Sequence, residues 1–172
     1  MGNWLEDREG HDAKLKDYMA KKDSGKLVIN STQQKFAKSG QAVPHTYRDD
    51  GSLCFNDSIC LQNCFTNATL VCDMSDRVTG SGEAYMVTST EQPVGAIARS
   101  VYIIERAKGP LFTTDDKVRF GDEVRIKVNP YILGKELFLH SCPITPLAYA
   151  RFSRNQEVCL NSEATYNTVW RI

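Results

Sequence analysis

Strict alternation of apolar and charged side chains between residues 122 and 129 constrains the fold more than any other feature of the sequence. One face of this segment carries Val124, Ile126 and Val128, and the other carries Glu123, Arg125 and Lys127. A period of two is typical of a β-strand that is buried on one face only. The alternation therefore predicts a strand that covers an apolar core.

Short β-rich runs separated by turn residues recur over most of the chain after Val43. They occupy residues 53–61, 101–104, 137–139, 157–160 and 168–170. Repeated short strands with no second helical pattern are typical of an all-β barrel or sandwich. The sequence thus predicts a mainly β fold, with a compact β-barrel or trefoil-like domain behind an N-terminal helix and an extended arm.

The N-terminal part of the chain has a different pattern. Residues 11–25 are predicted to be helical, with Asp12 as the cap and Gly25 as the stop signal. Residues 30–43 are polar and predict an extended linker that ends at Pro44. The predicted domains are therefore a helical arm and linker at 1–43 and a β-domain at 44–172.

Two windows of the sequence echo each other at an offset of 65 residues. Residues 53–61 and 118–126 both place an aromatic residue before a turn with aspartate, and alternating apolar positions follow. Repeated β units of this kind suit a trefoil-like barrel. The alternative is that both windows follow the common pattern of a hairpin by coincidence.

Composition limits the class of partner. The chain of 172 residues has 21 basic and 21 acidic side chains, so its formal charge at pH 7 is zero. A nucleic-acid or membrane-surface binder normally carries a basic excess. No run approaches the roughly 18 apolar residues that span a bilayer, and the N-terminus lacks the apolar core of a signal peptide. We expect an intracellular protein that binds neither nucleic acid nor membrane.

The cysteines and histidines suggest no metal or cofactor. Cys54, Cys60, Cys64 and Cys72 lack the paired spacing of most structural zinc sites, so we predict no metal ligands. His140 and Cys142 are near neighbours in sequence, which does not by itself create catalytic geometry. We therefore predict no catalytic residues and no cofactor. An enzyme that uses Cys142 or Cys64 as its nucleophile is the third-ranked alternative.

Aromatic and basic side chains mark the N-terminal arm as a candidate partner-binding segment. Residues 11–40 contain seven lysines and three aspartates, and Trp4 and Leu5 precede them in an otherwise charged stretch. Aromatic residues are typical anchors at protein interfaces. The predicted contacts are Trp4, Leu5, Lys14, Lys21, Lys22, Lys26, Lys35 and Lys38. The alternatives are that Trp4 packs against the chain's own domain and that the lysines form a solvated surface.

An ordered set of short motifs resembles one protein family. The set begins with Gly2-Asn3-Trp4-Leu5-Glu6-Asp7 and continues over residues 17–29. It returns at 50–51, 55–57, 92–95, 118–121 and 137–139, and it ends near Trp170. Together these motifs are similar to the cilia- and flagella-associated protein 161 family. The resemblance is weakest around residues 64–91.

This resemblance implies a structural role. Members of the family are microtubule inner proteins of motile cilia, in the lumen of axonemal doublet microtubules. They lie in the A-tubule near its seam and contact tubulin and other inner proteins. The implied location is the cytoskeleton of the ciliary or flagellar axoneme, within a large hetero-assembly. No catalytic residues are known in the family, and its chains run beyond the equivalent of Ile172.

The alternative from another class is a β-trefoil-like module that binds a glycan or another small ligand. Such a module needs a pocket of aromatic side chains with polar partners. Tyr131, Tyr149 and Tyr166 are the candidates.

Overall fold

The computed structural model of the chain describes residues 4–78, 84–91, 95–108, 115–130, 134–146, 148–150 and 152–172. Two helices precede eight strands in this part of the chain. Their bounds are α1 Trp4–Asp23, α2 Val28–Ser39, β1 Ser58–Cys60, β2 Thr69–Arg77, β3 Tyr85–Thr90, β4 Val101–Arg106, β5 Glu123–Val128, β6 Phe138–Ser141, β7 Val158–Asn161 and β8 Val169–Arg171, with a 3₁₀ turn at Tyr166–Thr168 before β8.

All eight strands belong to one antiparallel sheet that curls into a half-barrel. Its order is β1-β4-β5-β6-β7-β3-β2, and β8 pairs with β5 beside this path. The first and last strands of this order, β1 and β2, are connected by the residues that follow β1. A bridge joins Gln62 to Thr69, and the Leu70 amide donates to the Leu61 carbonyl at 2.8 Å. The prediction of a mainly β fold behind an N-terminal helix is confirmed.

Strand β5 is buried on one face, as its alternation predicts, and it has three partner strands. Val124, Ile126 and Val128 are buried, whereas the charged residues between them remain partly exposed. The strand pairs with β4, β6 and β8, in registers that include Ile104 opposite Ile126 and Trp170 opposite Val124. Four strands of the sheet therefore meet at β5.

The core is one cluster of buried side chains, contributed by the strands and by the segments between them. Its buried members are Phe55, Cys72, Met74, Tyr85, Ala98, Tyr102, Ile104, Val124, Ile126, Val128, Leu137, Leu139 and Leu160. Trp170 packs against this cluster, and its indole nitrogen donates to the Leu139 carbonyl at 2.9 Å. The last strand is therefore attached to β6 as well as to β5.

The sequence echo corresponds to two turns with the same hydrogen bonds. In each turn the third residue has a left-handed backbone, with φ of 69° at Asn56 and 95° at Gly121. The aspartate that follows accepts a bond from the amide three residues before it, which is Cys54 for Asp57 (2.7 Å) and Arg119 for the second turn (2.9 Å). The two segments also bond to each other, since the Val118 amide donates to the Leu53 carbonyl at 2.7 Å. The repeat is thus a shared local structure.

Two boundaries in the N-terminal region were predicted wrongly. Helix α1 covers Trp4–Asp23 instead of starting near residue 11, so Asp12 lies within the helix and caps nothing. The predicted linker at 30–43 is also wrong, because α2 occupies Val28–Ser39. No glycine or proline interrupts that segment, and its lysine, glutamine and alanine residues favour helix. Only the end of the predicted linker is extended, where Ala42 forms a bridge with Ile97.

The sequence analysis did not predict strands β2 and β3. They form a hairpin in which Val71 faces Thr88 and Cys72 faces Val87. The register shifts between Asp73 and Arg77, so no clean period of two runs through the hairpin. β-branched residues such as Val87 and Thr88 favour strands and were the sequence feature that indicated this hairpin.

Contacts divide the chain into two compact units, Met1–Ala37 and Lys38–Ile172. Several residues named in the sequence analysis lie outside the described parts of the chain: Gly2, Asn3, Gln92, Pro93, Val94 and Tyr131.

Candidate partner-binding arm

Helix α1 forms because its sequence suits both helix ends. Glu6 and Asp7 lie in the first turn, where the helix dipole favours negative charge, and Lys21 and Lys22 lie in the last turn. The helix ends in a Schellman motif. Gly25 adopts a φ of 68°, and the amides of Gly25 and Lys26 donate to the Lys22 and Lys21 carbonyls. Gly25 is thus the predicted stop signal, and this prediction is confirmed.

None of the residues of α1 is buried. The side chain of Trp4 is 67% exposed and that of Leu5 is 43% exposed. The guanidinium of Arg8 lies 5.8 Å from the centre of the Trp4 ring, which is within the range of a cation–π interaction. Both predicted apolar contacts are therefore accessible on the helix surface.

The predicted lysines are all exposed and are spread over two helices and the turn between them. Three are on α1, Lys26 lies in the turn after it, and Lys35 and Lys38 are on α2. Lys21 forms an ion pair with Asp17 at 2.7 Å, one helical turn away. The arm therefore presents several separate basic positions, and one of them is already paired.

The predicted contacts did not include the apolar residues of α1 that lie between these positions. Leu15, Tyr18 and Met19 have helical spacing, which normally indicates a face that packs on a core. In the structure these three side chains remain 60%, 50% and 47% exposed. Val28 and Ile29 at the start of α2 are also exposed. The signal was present in the sequence, but only the structure shows that the apolar face is uncovered.

The six cysteines have contrasting environments. Cys60 and Cys64 are exposed, Cys54 and Cys142 are intermediate, and the remaining two are buried. Within the described ranges no three metal-ligating side chains are close enough to hold a metal ion. Burial raises the pKa of the Cys72 thiol to about 12, and this thiol donates to the Arg99 carbonyl. Cys72 thus behaves as a small core residue.

The histidine on β6 contacts Cys159 on the neighbouring strand β7. His140 lies opposite Cys159 on β7, and its Nδ1 atom is 3.6 Å from the Cys159 sulfur. Burial raises the pKa of Cys159 to about 11, and the neighbouring Glu157 acts in the same direction. This thiol is therefore protonated at neutral pH, whereas a nucleophilic cysteine has to be a thiolate.

The two described tyrosines of the ligand-binding alternative have different environments. Tyr149 is half-buried beneath the guanidinium of Arg154, and Tyr166 is 81% exposed. A cavity of about 450 Å³ lies elsewhere, beside the loop between β1 and β2. It is lined by Leu61, Gln62, Asn63, Thr66, Ala68, Leu70 and Ser89.

Of the helices that the structure describes, none combines the length and the apolar character that crossing a membrane requires.

The chain is similar over almost its whole length to a known protein. The chain is 24% identical over 189 aligned positions to cilia- and flagella-associated protein 161 of Bos taurus. The alignment covers 99% of this chain and 57% of the relative, so the chain spans just over half of the relative's length. No protein-family model matches the chain.

A solved structure from Caenorhabditis elegans, of a protein with unknown function, resembles the fold. The TM-score is 0.52 at 21% sequence identity, over 73% of this chain and 66% of that one. This similarity concerns the fold alone.

Proposed function

We propose that this chain is a structural protein of motile cilia and flagella, and that it is a microtubule inner protein. In this proposal it lies on the lumenal face of axonemal doublets, in the A-tubule near the seam, and it stabilises the axoneme during beating. The observation that carries the proposal is the similarity to a cilia- and flagella-associated protein across 99% of the chain. Its partners are tubulin and other inner proteins.

The two units of the chain suit this role. Strand pairing gives the β unit a single sheet with a buried core, so it can act as a rigid body within an assembly. The helical unit exposes aromatic, apolar and basic side chains. Many small contacts that are ordered together give strong retention in a polymer, although each contact alone is weak.

The role that we propose is not catalytic. The two thiols with raised pKa values are both protonated at neutral pH, and Cys72 is a member of the core. The Asp57 carboxylate is bound by Arg48 within a turn, which gives it a structural partner.

Fractionation of motile cilia tests this proposal. Cilia that contain a tagged copy of the full-length protein are treated with detergent to remove membranes, and the axonemes are then washed with high salt. We expect the tagged protein to remain with the doublets through both steps, alongside tubulin. A membrane marker and a soluble matrix marker serve as controls for complete extraction. Release of the tagged protein with either marker would refute the proposal.

A further inference from the structure

The cavity beside the loop between β1 and β2 has an apolar part and a polar rim. Leu61 and Leu70 are half-buried and pack against the core, and Ala68 is buried. The rim consists of the four exposed polar residues of the lining, which are Gln62, Asn63, Thr66 and Ser89. None of these seven residues carries a charge. The cavity therefore suits an uncharged ligand, because a charge that leaves water without a partner is costly.

Hydrogen bonds within the loop hold the rim in place. The Asn63 amide donates to the Ala68 carbonyl at 2.9 Å, and the Asn67 amide donates to the Asn63 carbonyl at 2.8 Å. Asn67 has a left-handed backbone, with a φ of 56°, which asparagine adopts more readily than most residues. Across the cavity, Ser89 of β3 pairs with Leu70 of β2. The rim is thus formed before a ligand binds, which lowers the entropic cost of binding.

Two side-chain amides of the rim have one hydrogen-bonding group left for a ligand. The Nε2 atom of Gln62 donates to the Asn67 carbonyl at 2.9 Å, which leaves its Oε1 atom as an acceptor. The Oδ1 atom of Asn63 accepts from the backbone amides of Phe65 and Thr66, at 2.9 and 3.0 Å. Its Nδ2 atom remains as a donor. A peptide group has one donor and one acceptor, so the rim can satisfy both.

We propose that this cavity binds an uncharged peptide segment of a partner protein. An apolar side chain of the segment packs on Leu61 and Leu70, and the adjacent peptide group bonds to Gln62 and Asn63. The inference does not depend on the proposed function, because it rests on the lining and the hydrogen-bonding groups of the cavity.

Exposure of the rim favours a segment of a protein over a free small molecule. Small-molecule sites bury most of the ligand's surface. Four of the seven lining residues are exposed here, so a small molecule in the cavity would remain in wide contact with water. A partner protein covers the rim as its segment binds. Phe65, which is 95% exposed in the same loop, offers such a partner further apolar area.

Three blocked peptides and NMR of the isotope-labelled full-length chain test the inference. The first probe is the tripeptide alanine-leucine-alanine. The second has aspartate in place of leucine, which keeps a similar shape and adds a negative charge. The third is a single blocked leucine residue. The signals of the side-chain amides of Gln62 and Asn63 report binding at the rim.

We expect the leucine tripeptide to shift both amide signals saturably, in the millimolar range that suits a ligand of this size. The aspartate tripeptide should bind at least about tenfold more weakly, because it loses the burial of a leucine side chain and brings an unpaired charge. The absence of saturable shifts, or equal binding of these two tripeptides, would overturn the inference. The single leucine should also bind more weakly than the leucine tripeptide. Equal binding of those two would indicate a small-molecule site and would overturn the peptide proposal.

Two substitutions on β3 provide a matched control. Ser89→Leu fills the cavity from its rim, whereas Thr88→Leu places the same side chain on the other face of the strand. Both residues are exposed, so neither change alters the core, and the backbone amide signals check that the fold is retained. We expect Ser89→Leu to weaken binding of the leucine tripeptide about tenfold and Thr88→Leu to leave it within about twofold. The inference is wrong if both variants bind this peptide as the unmodified chain does.

Sedimentation of the purified chain tests a second copy as the occupant. We expect no dimer that depends on Ser89. A dimer that Ser89→Leu dissociates and Thr88→Leu leaves intact would show that a second copy covers the cavity, and it would overturn the proposal of a different partner. All of these measurements use the purified chain, so their outcome is separate from that of the fractionation of cilia.

Discussion

Asp57 shows how a repeated sequence motif acquires a distinct role. Its carboxylate accepts two bonds from the Arg48 guanidinium, at 3.1 and 2.9 Å, as well as the bond from the Cys54 amide. The equivalent Asp122 accepts the amide bond in a more exposed turn. Arg48 lowers the pKa of Asp57 by hydrogen bonding, more strongly than burial raises it. The first turn is therefore held by an ionised carboxylate.

The substitution Asp57→Asn tests this turn at the residue scale. We expect it to lower the free energy of unfolding by about 2 kcal/mol at pH 7, because charge-assisted hydrogen bonds to a buried group are lost. Asp122→Asn changes the same position of the second turn and should cost about 1 kcal/mol or less. Urea denaturation measures both. A cost for Asp122→Asn as large as that for Asp57→Asn would contradict the distinct role of the first turn.

The stability contributed by Asp57 depends on pH in a defined direction. Its pKa is lower in the folded protein than in the unfolded chain, where aspartate titrates at about 3.9. The contribution is therefore present above that value and is lost as the pH falls through the folded pKa. The difference in unfolding free energy between the unmodified chain and Asp57→Asn should shrink below about pH 4. A constant difference from pH 7 to pH 3 would contradict this assignment.

The sequence predicted the repeated turn but not the fate of its aromatic residue. Phe55 is buried, with the Arg106 guanidinium 3.8 Å from its ring centre, whereas Phe120 is 97% exposed. Local sequence determines the turn, since both need a left-handed third residue followed by aspartate. The burial of each phenylalanine depends on which strands pass beside it, and that information is not local.

At the scale of elements, secondary structure was predicted correctly where the sequence has one clear period. Strand β5 has strict alternation, and β4, β6, β7 and β8 fall in or beside predicted β-rich runs. The β2–β3 hairpin was missed because its register shifts, and α2 was missed because it is mostly polar. For the candidate site, the sequence predicted Trp4 and Leu5 as contacts, and both side chains are exposed. It could not show that Leu15, Tyr18 and Met19 stay exposed, because burial depends on tertiary packing.

The two tryptophans provide a matched test of the last strand. Trp170→Phe removes the indole donor that bonds to the Leu139 carbonyl, and we expect a loss of about 1 kcal/mol in unfolding free energy. Trp4→Phe makes the same change on an exposed helix surface and should alter stability by less than about 0.5 kcal/mol. Thermal or urea unfolding measures both. Equal effects of the two substitutions would refute the attachment of β8 to β6 through this bond.

At the scale of the whole molecule, the two units differ in how their backbone is protected. No residue of α1 is buried, so little apolar contact opposes its local opening. In the second unit, Ser39 is buried and its carbonyl accepts a bond from the Arg99 amide at 3.1 Å. Protection against proteolysis should therefore begin near Ser39.

Limited trypsin digestion of the isolated chain tests this difference. We expect the first cuts at lysines and arginines within residues 4–38, followed by a persistent fragment that starts at Ser39. Cleavage at Lys117 or Lys127 should come later, since both residues adjoin paired segments of the sheet. Mass spectrometry of timed samples identifies the order. Early cleavage at Lys127 with an intact arm would contradict the expected difference between the units.

The junction between β3 and β7 has a consequence for oxidative chemistry. Only Tyr85 with Leu160 and Met86 with Cys159 pair across it in the described part of the sheet, so it is a narrow seam in the strand order. Oxidants in the surrounding solution reach the exposed thiols of Cys60 and Cys64 directly. The Cys159 thiol is buried beside the seam and becomes accessible when β3 and β7 separate. Oxidation of Cys159 would then add polar bulk at the seam and oppose its closure, so a reversible opening of the sheet would become lasting damage.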